Sequence, residues 1–386
     1  MIGQKGIPAH SGGIERHVEE LSTELSALGH EVLVFCRTWY TPSDMTLHRG
    51  VKLIFAPTIR TKHLDAIVHT FSSIIKAIRM KADVIHIHGV GPSLLAWLPK
   101  LLRPSTKVVV TFHCIDRHHQ KWNGIARAML HLGEITSCKL PDATVTVAKT
   151  LQTYCRLSYG IDTIYIPNGT QIPMEQSNND LLKPFKLETD KYILFCARLV
   201  KHKGAHILMD AWQKLRTQNP ELTDGIKLAV VGGTAFTDEY VKELRRRAEQ
   251  DDSIVMTGVQ TGETLHALFA NCSALVHPSE SEGLPIAVLE GMGYAKCVLA
   301  SNIPENMELV QEHGMNYQVG NTDDLIEKIK EILSHKEHAQ ALGQEARAHV
   351  AQNYDWKEIA QTTSYLYEML QSQINLETVQ SGQTVK

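Results

Sequence analysis

The sequence predicts an α/β protein built from two doubly wound, Rossmann-like domains, each a parallel sheet covered by helices on both faces. Three observations carry this expectation. Short, almost purely apolar runs alternate with stretches of helical periodicity, the pattern of parallel strands buried on both faces. The alternation occurs twice, on either side of a polar stretch from Gln171 to Asp190 that contains Pro173 and Pro184. The 386 residues suffice for two cores of ordinary size. The expected domains are residues 1–170 and 171–353, with a last helix over 354–372.

Composition narrows the class. With 43% hydrophobic and 21% charged residues and no low-complexity tract, the chain is globular. Its seven cysteines include no C-x-x-C pair, which argues for buried, reduced thiols and a cytoplasmic location. No run approaches the roughly 18 apolar residues of a membrane span, and no secretory apolar segment opens the chain. Any membrane is therefore expected to be met peripherally, at its inner face. The net charge of -3 conceals an asymmetry: residues 1–170 hold 19 Lys+Arg against 12 Asp+Glu, the remainder 20 against 30. The basic half reads either as solvated surface or as attraction to anionic lipid or a phosphorylated acceptor. Nucleic acid is excluded as a partner, because Arg117 to Trp122 is a single basic stretch with one aromatic.

Taken in order, residues 1–13 form a glycine-punctuated loop ending in Gly12 and Gly13, followed by an amphipathic helix from Ile14 to Leu28. Only Met1 and Ile2 precede Gly3, where about five apolar residues are expected of a first strand. Either the start codon lies further upstream or the first domain lacks a central strand. Strand-like runs follow at Val32–Cys36, Val51–Phe55, Val84–Ile87, Lys107–Phe112, Ala143–Val147 and Thr163–Ile166. Ligands of doubly wound sheets bind beyond the carboxyl ends of strands, a rule that selects His88 and His113 here. The second half repeats the alternation at Ile193–Ala197, Lys227–Val231, Ile254–Thr257, Ala274–His277 and Cys297–Ala300. Arg198 and Lys203 follow the first of these runs, placed where two cations can converge on a diphosphate. Gly232 and the pair Gly258-Val259 mark glycine turns at two further strand ends. Asn353 to Trp356 opens the last helix, and the polar tail from Gln371 is expected to fray.

One stretch concentrates the chemistry. Ser279 to Glu290 joins an apolar strand to a helix with Pro285 in its first turn, so the amides near Leu284 and Ile286, which Gly283 lets a ligand approach closely, are expected to offer an anion site at a helix N-terminus. Glu282 lies on the loop, and Glu290 follows on the helix after seven intervening residues.

Glu282-Gly283-Leu284-Pro285 with Glu290 resembles the E-x7-E signature of the retaining GT-B glycosyltransferases of family 4, a group that includes bacterial polysaccharide and rhamnosyl-type transferases. Gly-Ile-Pro before Gly12-Gly13 and Glu15, Thr-x-His at His113, and Arg-Leu-x-x-x-Lys-Gly from Arg198 to Gly204 are similar to further motifs of that family. Cys114 and Ala197 stand where glycine is usual. The resemblance spans nearly the whole chain. It implies the GT-B architecture, two domains facing a cleft with the last helix packed back on the first domain. The activity implied is retaining transfer of a sugar from a nucleoside diphosphate to an acceptor hydroxyl, on a glycan or lipid-linked acceptor. The resemblance implies the site roles as well. Gly12, Gly13, Arg198, Lys203 and Leu284 serve the donor phosphates, Glu290 the ribose, and Gly232, Gly258 and Val259 border the nucleotide. Glu282 holds the donor sugar opposite His113. No cofactor or metal is expected, since no D-x-D pair is present and cations with a helix N-terminus can stabilise a leaving diphosphate. Other readings are a phosphorylase or epimerase of the same architecture and a non-catalytic scaffold. A dinucleotide oxidoreductase fails for want of Gly-x-Gly-x-x-Gly after a complete strand.

Overall fold

The computed structural model describes residues 1–59, 61, 64–115, 117, 124–173, 178–235 and 237–380, with side chains to residue 372. They divide into two compact units, one of Met1–Ala9, Gly13–Asn168 and the segment from Trp356, the other of His10–Gly12 and Gly169–Asp355.

In the first unit, α1 (Gly13–Ala27) precedes β1 (Leu33–Cys36), and a short antiparallel hairpin, β2 (Leu47–His48) with β3 (Val51–Phe55), follows. Then come α2 (Asp65–Arg79), β4 (Val84–His88), α3 (Trp97–Leu102), β5 (Lys107–Phe112), α4 (Gly124–Lys139), β6 (Ala143–Thr146), α5 (Lys149–Tyr159) and β7 (Ile164–Tyr165). Strands β4-β5-β6-β7 form one parallel sheet and β1-β3-β2 another. The two-residue remnant expected of the first strand joins them. The Met1 carbonyl accepts from Phe35 N at 3.1 Å, and Ile2 exchanges hydrogen bonds with His86 O and His88 N at 2.9 and 2.8 Å. Ile2 therefore occupies a strand position beside Ile87 although almost no strand is present. Gly3 follows at φ +114, where a Cβ would lie 2.4 Å from the His88 carbonyl, so only glycine lets the chain leave the sheet there.

Successive residues of a strand face opposite sides, which explains the unbroken apolar runs. Val108 and Val110 of β5 pack with Ile74 and Ala77 of α2, while Val109 packs with Val18, Leu21 and Leu25 of α1. The latter face is completed by α14 (Trp356–Gln380) through Trp356, Ile359, Leu366, Tyr367 and Leu370. Each such side chain contributes about 1.5–3 kcal/mol when buried, which is why a helix of modest intrinsic amphipathicity holds. It continues to Gln380 instead of fraying from Gln371.

In the second unit, β8 (Tyr192–Cys196), α6 (Ala205–Gln218), α7 (Pro220–Thr223), β9 (Lys227–Val231), α8 (Asp238–Glu249), β10 (Ile254–Gly258) and α9 (Gly262–Asn271) are followed by β11 (Ala274–His277) and α10 (Ile286–Gly293). The unit ends with β12 (Cys297–Ser301), α11 (Pro304–Val310), β13 (Met315–Tyr317), α12 (Thr322–Ser334) and α13 (Lys336–Asn353). Its six strands lie in the order β10-β9-β8-β11-β12-β13, all pairs parallel. The chain winds outward from β8 to β10 and then from β11 to β13, so the topological switch point falls between β8 and β11.

The stretch expected as a linker is largely folded into this unit. Asn179–Phe185 forms a 3-10 helix, Leu182 and Leu187 are buried, and Thr189 donates to Asn271 Oδ1 at 2.9 Å. Two leucines anchor the segment against its polar composition. Residues 174–177 of the stretch lie outside the described residues.

Candidate active site

The switch point of the second unit gathers most of the expected site residues. The loop after β8 carries Arg198, turns through the short 3-10 helix Lys201–Lys203, and reaches α6 through Gly204 in the left-handed region at φ +76. The loop after β11 carries Glu282 and enters α10 with Pro285 as its N-cap, one position earlier than the sequence reading placed it. The loops touch: Glu280 N donates to His202 O at 2.8 Å, and a Cβ on Gly204 would lie 2.1 Å from the Pro278 carbonyl. Close approach thus adds to the φ requirement, and both demand glycine.

Contact between the loops brings Lys203 onto Glu282. The Lys203 ammonium lies 2.5 Å from Glu282 Oε2, and His277 Nε2 lies 2.7 Å from Oε1. Burial opposes the charge on Glu282, but the Lys203 ammonium and His277 outweigh it and hold the carboxyl well below the usual range. The half-buried Arg198 guanidinium pairs with no carboxylate among the described residues.

Glu290, in α10, stands close enough to the end of β8 that its charge, after burial itself, raises the Cys196 thiol. The two carboxylates are therefore unequal: Glu282 is committed to Lys203 and His277, while the charge of Glu290 acts on Cys196 at the carboxyl end of β8. Gly232, Gly258 and Val259 sit at the ends of β9 and β10. Gly232, at φ +149, packs so close to β8 that a Cβ would meet the Ala197 carbonyl at 1.9 Å, and its amide donates to Gly258 O at 2.9 Å. Val259 is half exposed beside Gly233. Leu284 is buried at the head of α10 with Gly283 before it.

Sequence reasoning missed the groups that hold the Glu282 loop. Ser301, ending β12, donates to Ser279 O, and Asn306 Nδ2 donates to Ser301 O at 3.0 Å and to its hydroxyl at 2.9 Å. It also missed Glu305, whose carboxyl is raised by burial and by the nearby charge of Glu282. The proline before Glu305 marked a helix start and nothing more.

In the first unit, Glu15 and Glu19 of α1 fasten the glycine-rich loop by accepting from Lys5 N at 3.1 Å and Ala9 N at 3.0 Å. Gly12 takes φ +102, and Gly13 opens α1. His113, at the carboxyl end of β5, is buried with His88, at the end of β4, and His17 of α1. His88 Nδ1 lies 3.2 Å from His113 Nε2, His86 stacks on His88 at 4.2 Å, and the His17 ring meets His113 edge-on at 4.8 Å. Burial lowers His17 to about 4 and holds His86, His88 and His113 well below their ordinary range. All four are neutral at physiological pH. Asp116 and residues 118–122 lie outside the described residues, whereas Arg117 donates to Tyr154 at 2.8 Å and lies 3.5 Å from buried Glu134.

Residues 11–172 match the model of Glycosyltransferase Family 4, and residues 178–349 that of Glycosyl transferases group 1. The chain is a family 4-like GT-B glycosyltransferase. This glycosyltransferase is 24% identical to spore coat protein SA of Bacillus subtilis over 94% of its own length and 96% of that protein's. It is 25% identical to the O-antigen chain mannosyltransferase C of Escherichia coli, over 88% and 90% of the two chains. Among solved structures, sucrose-phosphate synthase of Thermosynechococcus elongatus superposes with a TM-score of 0.79 at 20% identity, covering 96% of this chain and 95% of that one. Anabaena HepE in complex with UDP-glucose gives 0.77 at 19%, over 94% and 98%.

Proposed function

We propose that this glycosyltransferase moves a sugar, with retention of anomeric configuration, from a nucleoside-diphosphate sugar to a hydroxyl of a glycan or lipid-linked acceptor, in synthesis of a cell-surface polysaccharide or glycolipid. The observation that carries the reading is the switch point of the second unit. There Arg198, with no carboxylate partner among the described residues, the Lys203–Glu282 pair and the N-terminus of α10, where Pro285 makes no side-chain cap, are gathered at the ends of β8 and β11. This is a preorganised receptor for the charge that develops on a leaving diphosphate.

In this reading Arg198, Lys203 and the amides at Gly283 and Leu284 receive the diphosphate, Glu290 binds the ribose, and Glu282 orients the donor sugar through a carboxylate already fixed by Lys203. His113 is given a part in handling the donor because it matches the family motif. The leaving phosphate assists deprotonation of the acceptor at the front face, with no protein nucleophile and no metal on the donor. HepE was solved with UDP and with UDP-glucose, which supports a nucleotide-sugar donor, and the mannosyltransferase relative supports a polysaccharide product. Action at the cytoplasmic face of a membrane accords with the absence of any described helix long and apolar enough to span one. It also accords with an exposed apolar row on α4, Ile125, Met129 and Leu132, beside exposed Arg127.

Incubation with a panel of nucleotide sugars, with and without chelator, tests the proposal. One donor should be consumed at least as fast with chelator as without it, and NMR of the product should show the donor's anomeric configuration. Inversion, dependence on a divalent ion, or phosphate as co-substrate would each refute a part of it, and no consumption of any donor would favour a scaffold.

A further inference from the structure

The three buried histidines of the first unit present one ring nitrogen each, all within 4.8 Å of one another. The atoms converge from three separate elements, α1, β4 and β5. Two of them, His88 Nδ1 and His113 Nε2, lie 3.2 Å apart, close to the edge of about 3.3 Å that Zn–N bonds of 2.0–2.1 Å give a tetrahedron. The third is aimed by its far side: His17 Nδ1 lies 2.8 Å from Asn168 Oδ1, a contact that fixes the proton on Nδ1 and leaves the lone pair on Nε2. His17 Nε2 is buried with no hydrogen-bond partner among the described residues. His88 is oriented likewise, with its Nε2 3.4 Å from Met1 Sδ and its other face stacked on His86.

We propose that His17, His88 and His113 bind one divalent transition-metal ion of the zinc class. Without metal, His113 Nε2–H donates to His88 Nδ1. On binding, that proton moves to Nδ1 of His113, so three neutral imidazoles supply lone pairs and no proton is released. The fourth position is left to water or an anion. Metal binding does not depend on the glycosyl-transfer reading, but its consequence does. An ion held on His113 withdraws that residue from the donor, so occupancy inhibits transfer.

The experiment uses the chelator-treated full chain, freed of chelator and titrated with zinc chloride in a calorimeter, then with cobalt chloride in a spectrophotometer. The expected result is one tight equivalent of zinc and an intense tetrahedral cobalt band. Both should weaken at least tenfold in His17→Asn and stay unchanged in His338→Asn, which removes an exposed histidine. Zinc should inhibit transfer by the wild type and spare His17→Asn. Should that variant misfold, X-ray absorption of the zinc-loaded wild type decides, with three imidazole ligands expected. Fewer than three imidazoles, no stoichiometric uptake, or equal binding by His17→Asn overturns the site. Uptake without inhibition keeps the site and removes only the role given to His113.

Discussion

Lys203 and Arg198 are both cations at one strand end, yet they differ in what they are tied to. Arg198 has no carboxylate partner among the described residues, so Arg198→Ala should weaken nucleoside diphosphate binding by roughly 1–3 kcal/mol and leave the melting temperature unchanged. Lys203→Ala should lose affinity and stability together, because it strands the buried Glu282 carboxylate. Calorimetry beside thermal melts checks the contrast, and two variants with wild-type affinity would remove both cations from the site. Glu290→Gln should impair binding of the plain nucleoside diphosphate, whereas Glu282→Gln should spare it and lower turnover; equal losses in the two assays would show the carboxylates misassigned.

A third residue-scale prediction concerns pH. His69 of α2 is buried beside Cys36 and Arg37 at the end of β1, where desolvation first and the Arg37 charge second lower it to about 4. Its unfolded value is about 6.5. The unfolded chain thus binds the extra proton between these values, and the stability His69 contributes is lost as pH falls from 6.5 towards 4. Between pH 7 and 5, denaturant melts of His69→Gln should show a loss smaller than the wild type's by about 2 kcal/mol. Parallel slopes would mean that His69 is protonated in the fold.

At the scale of elements, the two loops of the switch point act as one piece because glycine permits their contact. Gly204→Ala places a Cβ within 2.1 Å of the Pro278 carbonyl and forces a left-handed φ on a residue with a side chain. Backbone conformation alone costs about 1–2 kcal/mol, and the overlap moves Lys203 away from Glu282. The variant should melt lower and bind nucleotide more weakly. Gly225→Ala, also at positive φ but with open space around it, should show only the smaller stability loss. Equal behaviour of the two variants would mean that the loop contact has no part in the site.

For the whole molecule, the charge asymmetry takes on a different meaning once partners are seen. Of the cations that make the first half basic, Lys100 pairs with Asp142, Arg117 lies against Glu134, and Lys76 donates to Phe55 O. We therefore expect the apolar side chains exposed on α4 to matter more than charge in any membrane contact. Sedimentation with anionic vesicles should bring the protein down at low salt, and Ile125→Glu with Leu132→Glu should abolish this. No sedimentation with such vesicles at low salt would refute the membrane contact.

The alternation of apolar runs determined the two doubly wound units, because strands covered on both sides must be apolar at every position, and Val108, Val109 and Val110 serve the two faces in turn. The order of Glu282, Gly283, Leu284, Pro285 and Glu290 likewise determined a loop entering a helix. Strand adjacency was decided only in three dimensions. Nothing local states that β8 lies beside β11, and that neighbourhood is what sets Lys203 against Glu282 across 79 residues. The place of Ile2 between β1 and β4 was decided the same way, since a strand of two residues carries no periodicity and is specified by the hydrogen bonds its neighbours offer. Histidine 17 looked like one position on an amphipathic helix. Its meeting with His88 and His113 depends on how α1 packs over the sheet, which burial of Val18, Leu21 and Leu25 enforces and no spacing in the chain records.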